Sequence, residues 1–389
     1  MFTNYIMAYL LIGGCAGVLS SVWRKANGSA TLEIDETKDK LDELFLVMNL
    51  KNGQDEFVKV KDVKSIELST AYHLDIPVGI KPSTVIGLEE VIETVLKRRT
   101  RVIKQEYDVL IKVYNRDLPV NLIDIYPKRP ATNDLIIPIG YGWDGVVWWQ
   151  LNSDYPHAYV GGATGSGKSS FTHTTITYVT ETYPDVKLLL VDFKGNELNY
   201  YKDMRNIEAY VNTLDDVVEL IHRIQTEMEV RYSKVTEVDH IDQYNDLHPN
   251  DRMERWIVIF DEIFDLMRLD KDEKDVLAAI LSKSRACGIH FVFSTQRAVD
   301  KVLPNDITTH LSLRVGFRMN SSQESKNLIE SHVLSSISKD HKGRGYTNAN
   351  GELEEFQGYF TTIEKRKEVA KKYQRAISEE TKKKRGWFR

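Results

Sequence analysis

The sequence predicts an α/β fold built on a parallel sheet with helices on both faces, preceded by a small α/β accessory domain. Three observations predict it. Short apolar runs alternate with stretches of helical period. A glycine-rich phosphate motif, Gly162-Ala-Thr-Gly-Ser-Gly-Lys-Ser169, stands between a strand and a helix. A wholly apolar strand, Trp256-Ile-Val-Ile-Phe260, ends in the acid pair Asp261-Glu262. Apolar strands alternating with helices need cover on both faces, which is the parallel arrangement.

The first element is an uncharged run from Tyr5 to Trp23. At ~1.5 Å per residue its span approaches the ~30 Å hydrocarbon core, so a transmembrane helix is expected. Arg24 and Lys25 follow it directly, which predicts an outer N-terminus and a cytoplasmic remainder. Gly13 and Gly17 form a GxxxG, a weak signal for helix packing. Residues 25–69 are polar with short apolar runs such as Leu44-Phe-Leu-Val-Met48, and read as a linker followed by a few strands. Tyr72–Ile80 reads as a strand, Pro82–Lys97 as a helix and Thr100–Tyr114 as a second strand. Pro127, Pro130 and Pro138 with Gly140, Gly142 and Gly145 mark a turn-rich boundary. Beyond it, strands are expected at 158–160, 188–191, 257–260, 289–293 and 311–317. A helix is expected from Leu214 to Tyr232, capped by Thr213 with Asp216. The resulting division is an anchor at 1–25, linker and accessory domain at 26–130, the main α/β domain at 131–362 and a basic tail at 363–389.

Composition excludes several classes. The chain has 389 residues, 42% hydrophobic and 28% charged, which is globular rather than disordered. Its formal net charge of −5 excludes a uniformly basic surface, so a nucleic-acid site must be local. Two cysteines, Cys15 and Cys287, fit neither a disulfide scaffold nor a zinc cluster. The tail from Ile363 carries eleven Lys or Arg against four Glu. It reads equally as a solvated helix end or as an electrostatic arm for DNA or anionic lipid.

The chemistry centres on Gly162–Ser170. The glycines let successive backbone N–H groups turn around phosphate oxygens, and the helix N-terminus adds partial positive charge. Gly162, Ala163, Thr164, Gly165, Ser166, Gly167, Lys168, Ser169 and Ser170 are the expected ATP-binding residues. Lys168 reaches the β- and γ-phosphates, and the Ser169 hydroxyl ligates Mg²⁺. Asp261, at the carboxyl end of its strand, holds the Mg²⁺ shell. Glu262 is the expected general base for the attacking water. Gln296, at the end of a further strand, is a sensor candidate.

At this point the residues resemble the FtsK/SpoIIIE DNA-pumping ATPases over about Trp148 to Phe360. Beside the P-loop and Asp261-Glu262, the resemblance rests on four further segments. They are Asp192-Phe-Lys-Gly-Asn-Glu-Leu198, Glu227-Met-Glu-Val-Arg-Tyr232 with Tyr244-Asn245, Arg285-Ala-Cys-Gly-Ile-His290 with Thr295-Gln-Arg297, and Arg314-Val-Gly-Phe317 with Glu324-Ser-Lys326. Phe193 stands where the family usually has Pro, and Lys326 where it often has Arg. The resemblance implies a RecA-like P-loop NTPase, assembled as a homo-oligomeric ring, usually a hexamer, around double-stranded DNA. It also implies a cation supplied by the neighbouring subunit. Arg285 is the first candidate for that role and Arg314 the second. Lys271, Lys274 and Arg297 are pore candidates. The compact form is similar to the coupling ATPases of Gram-positive conjugative elements, which implies relaxase or transfer-channel partners. Chromosome segregation and protein secretion are the alternative roles.

Overall fold

The computed structural model describes residues 34–375, apart from residues 35, 107, 133, 152–153, 237 and 299–304. The expected anchor at 1–25 and the end of the basic tail lie outside the described residues. Among the described residues no helix is long and apolar enough to cross a membrane. The chain divides into two compact units, meeting between Asp117 and Leu118.

The first unit is an antiparallel sheet backed by helices. Strands β1 (Lys59–Ile66), β2 (Ser69–Asp75), β3 (Thr100–Gln105) and β4 (Asp108–Tyr114) lie in the order β1-β2-β4-β3. Three expectations change here. Residues 36–47 are helical, so Leu44–Met48 contains no strand. The reason is a helical face: Leu41, Leu44 and Phe45 are buried, while Leu46 and Val47 are exposed. Thr100–Tyr114 is a hairpin rather than one strand, turning through Glu106 at φ +48°. The helix after Pro82 splits at Gly87 into Pro82–Ile86 and Glu89–Leu96. Both pieces still face the core, through Val85 and Ile92.

The second unit carries strands β5 (Ile136–Gly142), β6 (Gly145–Gln150), β7 (Ala158–Gly161), β8 (Lys187–Val191) and β9 (Ile207–Val211). They are followed by β10 (Trp256–Phe260), β11 (Ile289–Thr295), β12 (Leu313–Phe317), β13 (Arg344–Thr347) and β14 (Glu354–Gly358). One ten-stranded sheet results, in the order β6-β5-β14-β13-β12-β7-β11-β10-β8-β9. The stretch from β12 to β9 is parallel. The stretch from β6 to β13 is antiparallel and joins β12 antiparallel. The parallel strands are the expected ones, apart from β9. The antiparallel flank is not expected from sequence. Its β5 contains Pro138 and two glycines, which by sequence signal a turn. The sheet accepts Pro138 at a register shift between Pro138 and Gly140, where a ladder bond is already interrupted.

Apolar cores lie on both faces of this sheet. Helix Leu214–Lys234 buries Val217, Ile221, Ile224 and Met228, and the Thr213 hydroxyl accepts the Asp216 N–H at its start. Helix Ile363–Lys372, assigned above to the basic tail, packs on this unit through the fully buried Val369. The turn-rich segment also begins earlier than expected. Phe360 donates its N–H to the Leu122 carbonyl at 2.8 Å, and Asp124 donates its own to the Phe360 carbonyl at 2.9 Å. Residues 118–124 are therefore tied into the second unit.

Candidate nucleotide site

The carboxyl ends of β7, β10 and β11 bring the expected residues together. After β7 the chain turns through Gly165 (φ +74°) and Gly167 (φ +133°), values that favour glycine. The loop is pinned from outside. Gly162 donates to the Thr295 carbonyl at 3.1 Å, Ala163 to the Arg318 carbonyl at 2.9 Å, and Gly343 to the Ser166 carbonyl at 2.8 Å. Helix Lys168–Thr182 then starts at Lys168, so its first N–H groups face the loop. Ser166 Oγ is buried and has no hydrogen-bond partner among the described residues.

Lys168 is 4% exposed. Its Nζ donates to the Asp261 carbonyl at 2.8 Å and lies 3.4 Å from Asp261 Oδ1. Glu262 is held loosely: Oε1 accepts the Phe264 N–H at 3.4 Å and Oε2 the Gln296 N–H at 3.3 Å. Gln296 Oε1 accepts the Thr164 hydroxyl at 3.1 Å, which joins the end of β11 to the tip of the loop. Lys168, Asp261, Glu262, Gln296 and Gly162–Ser170 thus form one cluster.

A cavity of about 740 Å³ opens on this cluster. That volume suits a small-molecule ligand. Lys168, Ser169, Ser170 and Gln296 line it, and Lys168 stands between it and Asp261. Sequence reasoning missed its other walls, which come from residues 120–123, 340–343 and 357–360, with Glu197 and Arg366. Glu197 belongs to a segment already singled out, but without a role. The loop holding it is closed by Asp192, whose carboxylate accepts the N–H groups of Gly195, Glu197 and Leu198.

The donors present fit a nucleotide and a magnesium ion. Consecutive loop N–H groups, a buried lysine and an unspent buried hydroxyl suit phosphate. Mg²⁺ asks for only one or two carboxylates beside phosphate oxygens and water, and Ser169 with Asp261 meets that demand. Among the described residues no group of three or more His, Cys, Asp or Glu forms a separate metal site.

Other expected residues lie elsewhere. Arg285 is exposed in the turn before β11, at the amino end of the strand whose carboxyl end carries Gln296. Seven extended residues separate the two ends by roughly 23 Å. Arg314 sits over the Tyr159 ring, 5.3 Å from its centroid, and donates to the Thr308 carbonyl at 2.9 Å. Lys271 and Lys274 are on the first turn of helix Lys271–Lys283 rather than on a loop. Arg297 is exposed just beyond β11.

His157 is a scaffold residue. Its Nδ1 accepts the Phe291 N–H at 3.1 Å, so its Nε2–H donates to the Leu281 carbonyl at 3.1 Å. Complete burial pushes its pKa down to about 3, and burial also holds His290 well below the ordinary range.

Comparison with known proteins agrees with this architecture. Residues 126–300 match the FtsK/SpoIIIE family and form a domain of that family. The DNA translocase FtsK of Lactiplantibacillus plantarum is 30% identical over 297 residues, covering 71% of this chain and 37% of the relative. That of Listeria monocytogenes is 28% identical over 312 residues, covering 73% and 41%. The chain thus spans about two fifths of the length of these relatives. Among solved structures, the pCW3 conjugation coupling protein TcpA, with ATPγS, superposes with a TM-score of 0.61 at 19% identity. That match covers 86% of this chain and 99% of TcpA. The cytoplasmic domain of the Thermomonospora curvata type VII secretion ATPase EccC gives 0.56 at 24% identity, covering 65% and 32%. These structures share the fold.

Proposed function

We propose that this chain, with its FtsK/SpoIIIE family domain, hydrolyses ATP to move double-stranded DNA. The observation that supports the reading is that Glu262 accepts the N–H of Gln296 and directly follows Asp261, the partner of Lys168, while Gln296 and Lys168 line one cavity. A loop that only held nucleotide would not need a carboxylate there. Lys168 binds the β- and γ-phosphates once it leaves the Asp261 carbonyl. Ser169 and Asp261 would hold Mg²⁺, which when bound would neutralise charge on the phosphates. Glu262 takes the proton from the attacking water. Gln296, bonded to both Glu262 and Thr164, links the state of that base to the loop tip.

The DNA assignment rests on the FtsK relatives, and the overall acidic charge restricts backbone contacts to local cations such as Arg297. Assembly is proposed as a homo-oligomeric ring, a hexamer. Arg285 lies too far from its own chain's loop to serve it, so its proposed action is on the neighbour's nucleotide. Mixing Arg285→Ala with Lys168→Ala chains tests this. Restored hydrolysis in mixed rings supports it, and none in rings shown to contain both opposes it. The uncharged run from Tyr5 to Trp23 supports a single-pass membrane anchor with a cytoplasmic motor. Recovery of the full chain in the soluble fraction would remove that anchor.

For the biological role, transfer of a mobile element by conjugation is favoured by the TcpA match, which covers nearly all of TcpA. The EccC match favours a second reading, a secretion ATPase. Hydrolysis by the full chain with and without duplex DNA separates them. Strong stimulation by duplex supports the translocase. Turnover indifferent to DNA supports secretion, and absence of turnover leaves a nucleotide-binding scaffold.

A further inference from the structure

The mechanism above leaves one charged group of the cavity unused. Arg366 lies on the first turn of helix Ile363–Lys372 and lines the cavity together with Ser170, Glu197 and Tyr359. Its stem is fixed. Nε donates to the Thr361 carbonyl at 3.0 Å, and the Arg366 N–H donates to the Thr362 carbonyl at 3.0 Å. Thr361 is fully buried, and its hydroxyl bonds Tyr126 at 2.8 Å and Thr174 of the P-loop helix at 3.0 Å. Ser170, on the same helix, donates to the Tyr359 carbonyl at 2.9 Å. Thr362 is in turn clamped by Asp124, which accepts its N–H at 2.8 Å. The segment bearing Arg366 is therefore locked to the helix that presents Lys168.

The far end of the guanidinium is unspent. Nη1 and Nη2 make no hydrogen bond and no ion pair among the described residues. Glu197 faces the same space. Contact with His173 is the main cause holding its carboxyl below the ordinary range, and the charges of Lys168 and Arg366 add to it. A fixed, half-buried guanidinium fork with open donors matches a phosphate, which accepts two parallel N–H groups.

We propose that Arg366 is a nucleotide-positioning residue that binds the α-phosphate in the same chain. The inference rests on the ATP reading of the site. Lys168 serves the β- and γ-phosphates. Ser169 serves Mg²⁺, Ser170 continues along the helix beyond it, and Arg366 stands on the wall beside Ser170. The C-terminal helix then closes the nucleotide site rather than acting only as a basic arm.

The test is calorimetric titration of the full chain with AMP, ADP and ATPγS, comparing wild type, Arg366→Met and Arg366→Lys. Arg366→Met keeps the stem, and its melting curve reports folding. Loss of a bidentate charged contact weakens all three ligands by a similar factor, about tenfold or more. Arg366→Lys keeps the charge without the fork and falls between. Turnover at saturating ATP stays near wild type while KM rises, a split that a purely structural defect would not give. Unchanged affinity for all three ligands overturns the proposal, as does a loss confined to ATPγS. If Arg366→Met does not fold, the Arg366→Lys titration alone decides. If the wild-type chain binds none of these ligands, the ATP reading itself fails.

Discussion

The two edges of the parallel sheet bury polar groups in opposite conditions. At the carboxyl edge, Ser166 Oγ lacks a partner, Glu262 is held at 3.3 and 3.4 Å, and Lys168 leans on a carbonyl. At the amino edge Asn206 Oδ1, Ser284 Oγ and Ser312 Oγ are also without a partner among the described residues, but the motif side chains are fully bonded. His157 spends both ring nitrogens on backbone groups. Arg231 bonds the carbonyls of Glu254 and Cys287, pairs with Glu227 at 2.8 Å and lies 4.6 Å from the Trp256 ring centroid. Asn245 makes a two-way contact with the Met253 backbone. Buried polar groups are costly unless satisfied. Among the motif residues, those already satisfied serve the fold, and those loosely held at the cavity are the ones proposed to meet a ligand. Motif residues thus divide by edge: Glu227, Arg231, Asn245 and His290 are bonded into the scaffold, while Lys168, Asp261, Glu262 and Gln296 are the residues proposed for the chemistry.

The largest effect that sharpens this contrast is on turnover. Lys168→Ala should lower ATP hydrolysis by at least a hundredfold, because the phosphates lose their main buried cation. The melting temperature should stay close to wild type. A large melting loss with intact hydrolysis would reverse the assignment of the two edges.

The amino edge should respond in the other currency. Arg231→Met leaves two carbonyls and Glu227 without their donor, at a cost of about 3 kcal/mol by denaturant unfolding. Nucleotide affinity should not change. Equal stability of this variant would show that the Arg231 contacts are dispensable.

Acid should act on the same edge. The unfolded chain protonates His157 near pH ~6.5, whereas the folded chain does so only at about 3. Between those values the unfolded state binds more protons, so stability is full above ~6.5 and falls as pH drops. The slope reaches about 1.4 kcal/mol per pH unit for each such histidine. Denaturant unfolding at pH 7.5 and pH 5 checks it, and a flat profile would mean these rings are charged in the fold.

The smallest effect lies beyond β9, away from the nucleotide loop. Thr213→Ala removes a helix cap and should cost about 1 kcal/mol in stability with no change in hydrolysis.

Legibility from sequence followed the same division. The parallel strands were readable because burial on both faces leaves an uninterrupted apolar run such as Trp256–Phe260. The phosphate loop was readable because its glycines answer to backbone geometry. The antiparallel flank was not, since β5 carries Pro138 and glycines that resemble a turn until a register shift in the ladder accommodates them. Helix 36–47 was missed because its buried Leu41, Leu44 and Phe45 adjoin the exposed Leu46 and Val47, which together look like a strand. The second wall of the cavity was invisible for another reason. Leu122, Phe360 and Arg366 meet only through long-range pairing, and no local pattern marks it.

The central claim is that Glu262 is the base of an ATP-hydrolysing motor. Glu262→Gln in the full chain, assayed for ATPγS binding and for hydrolysis with duplex DNA, tests it most directly. The predicted result is near wild-type binding with DNA-dependent turnover abolished. Hydrolysis by Glu262→Gln at the wild-type rate would contradict the account.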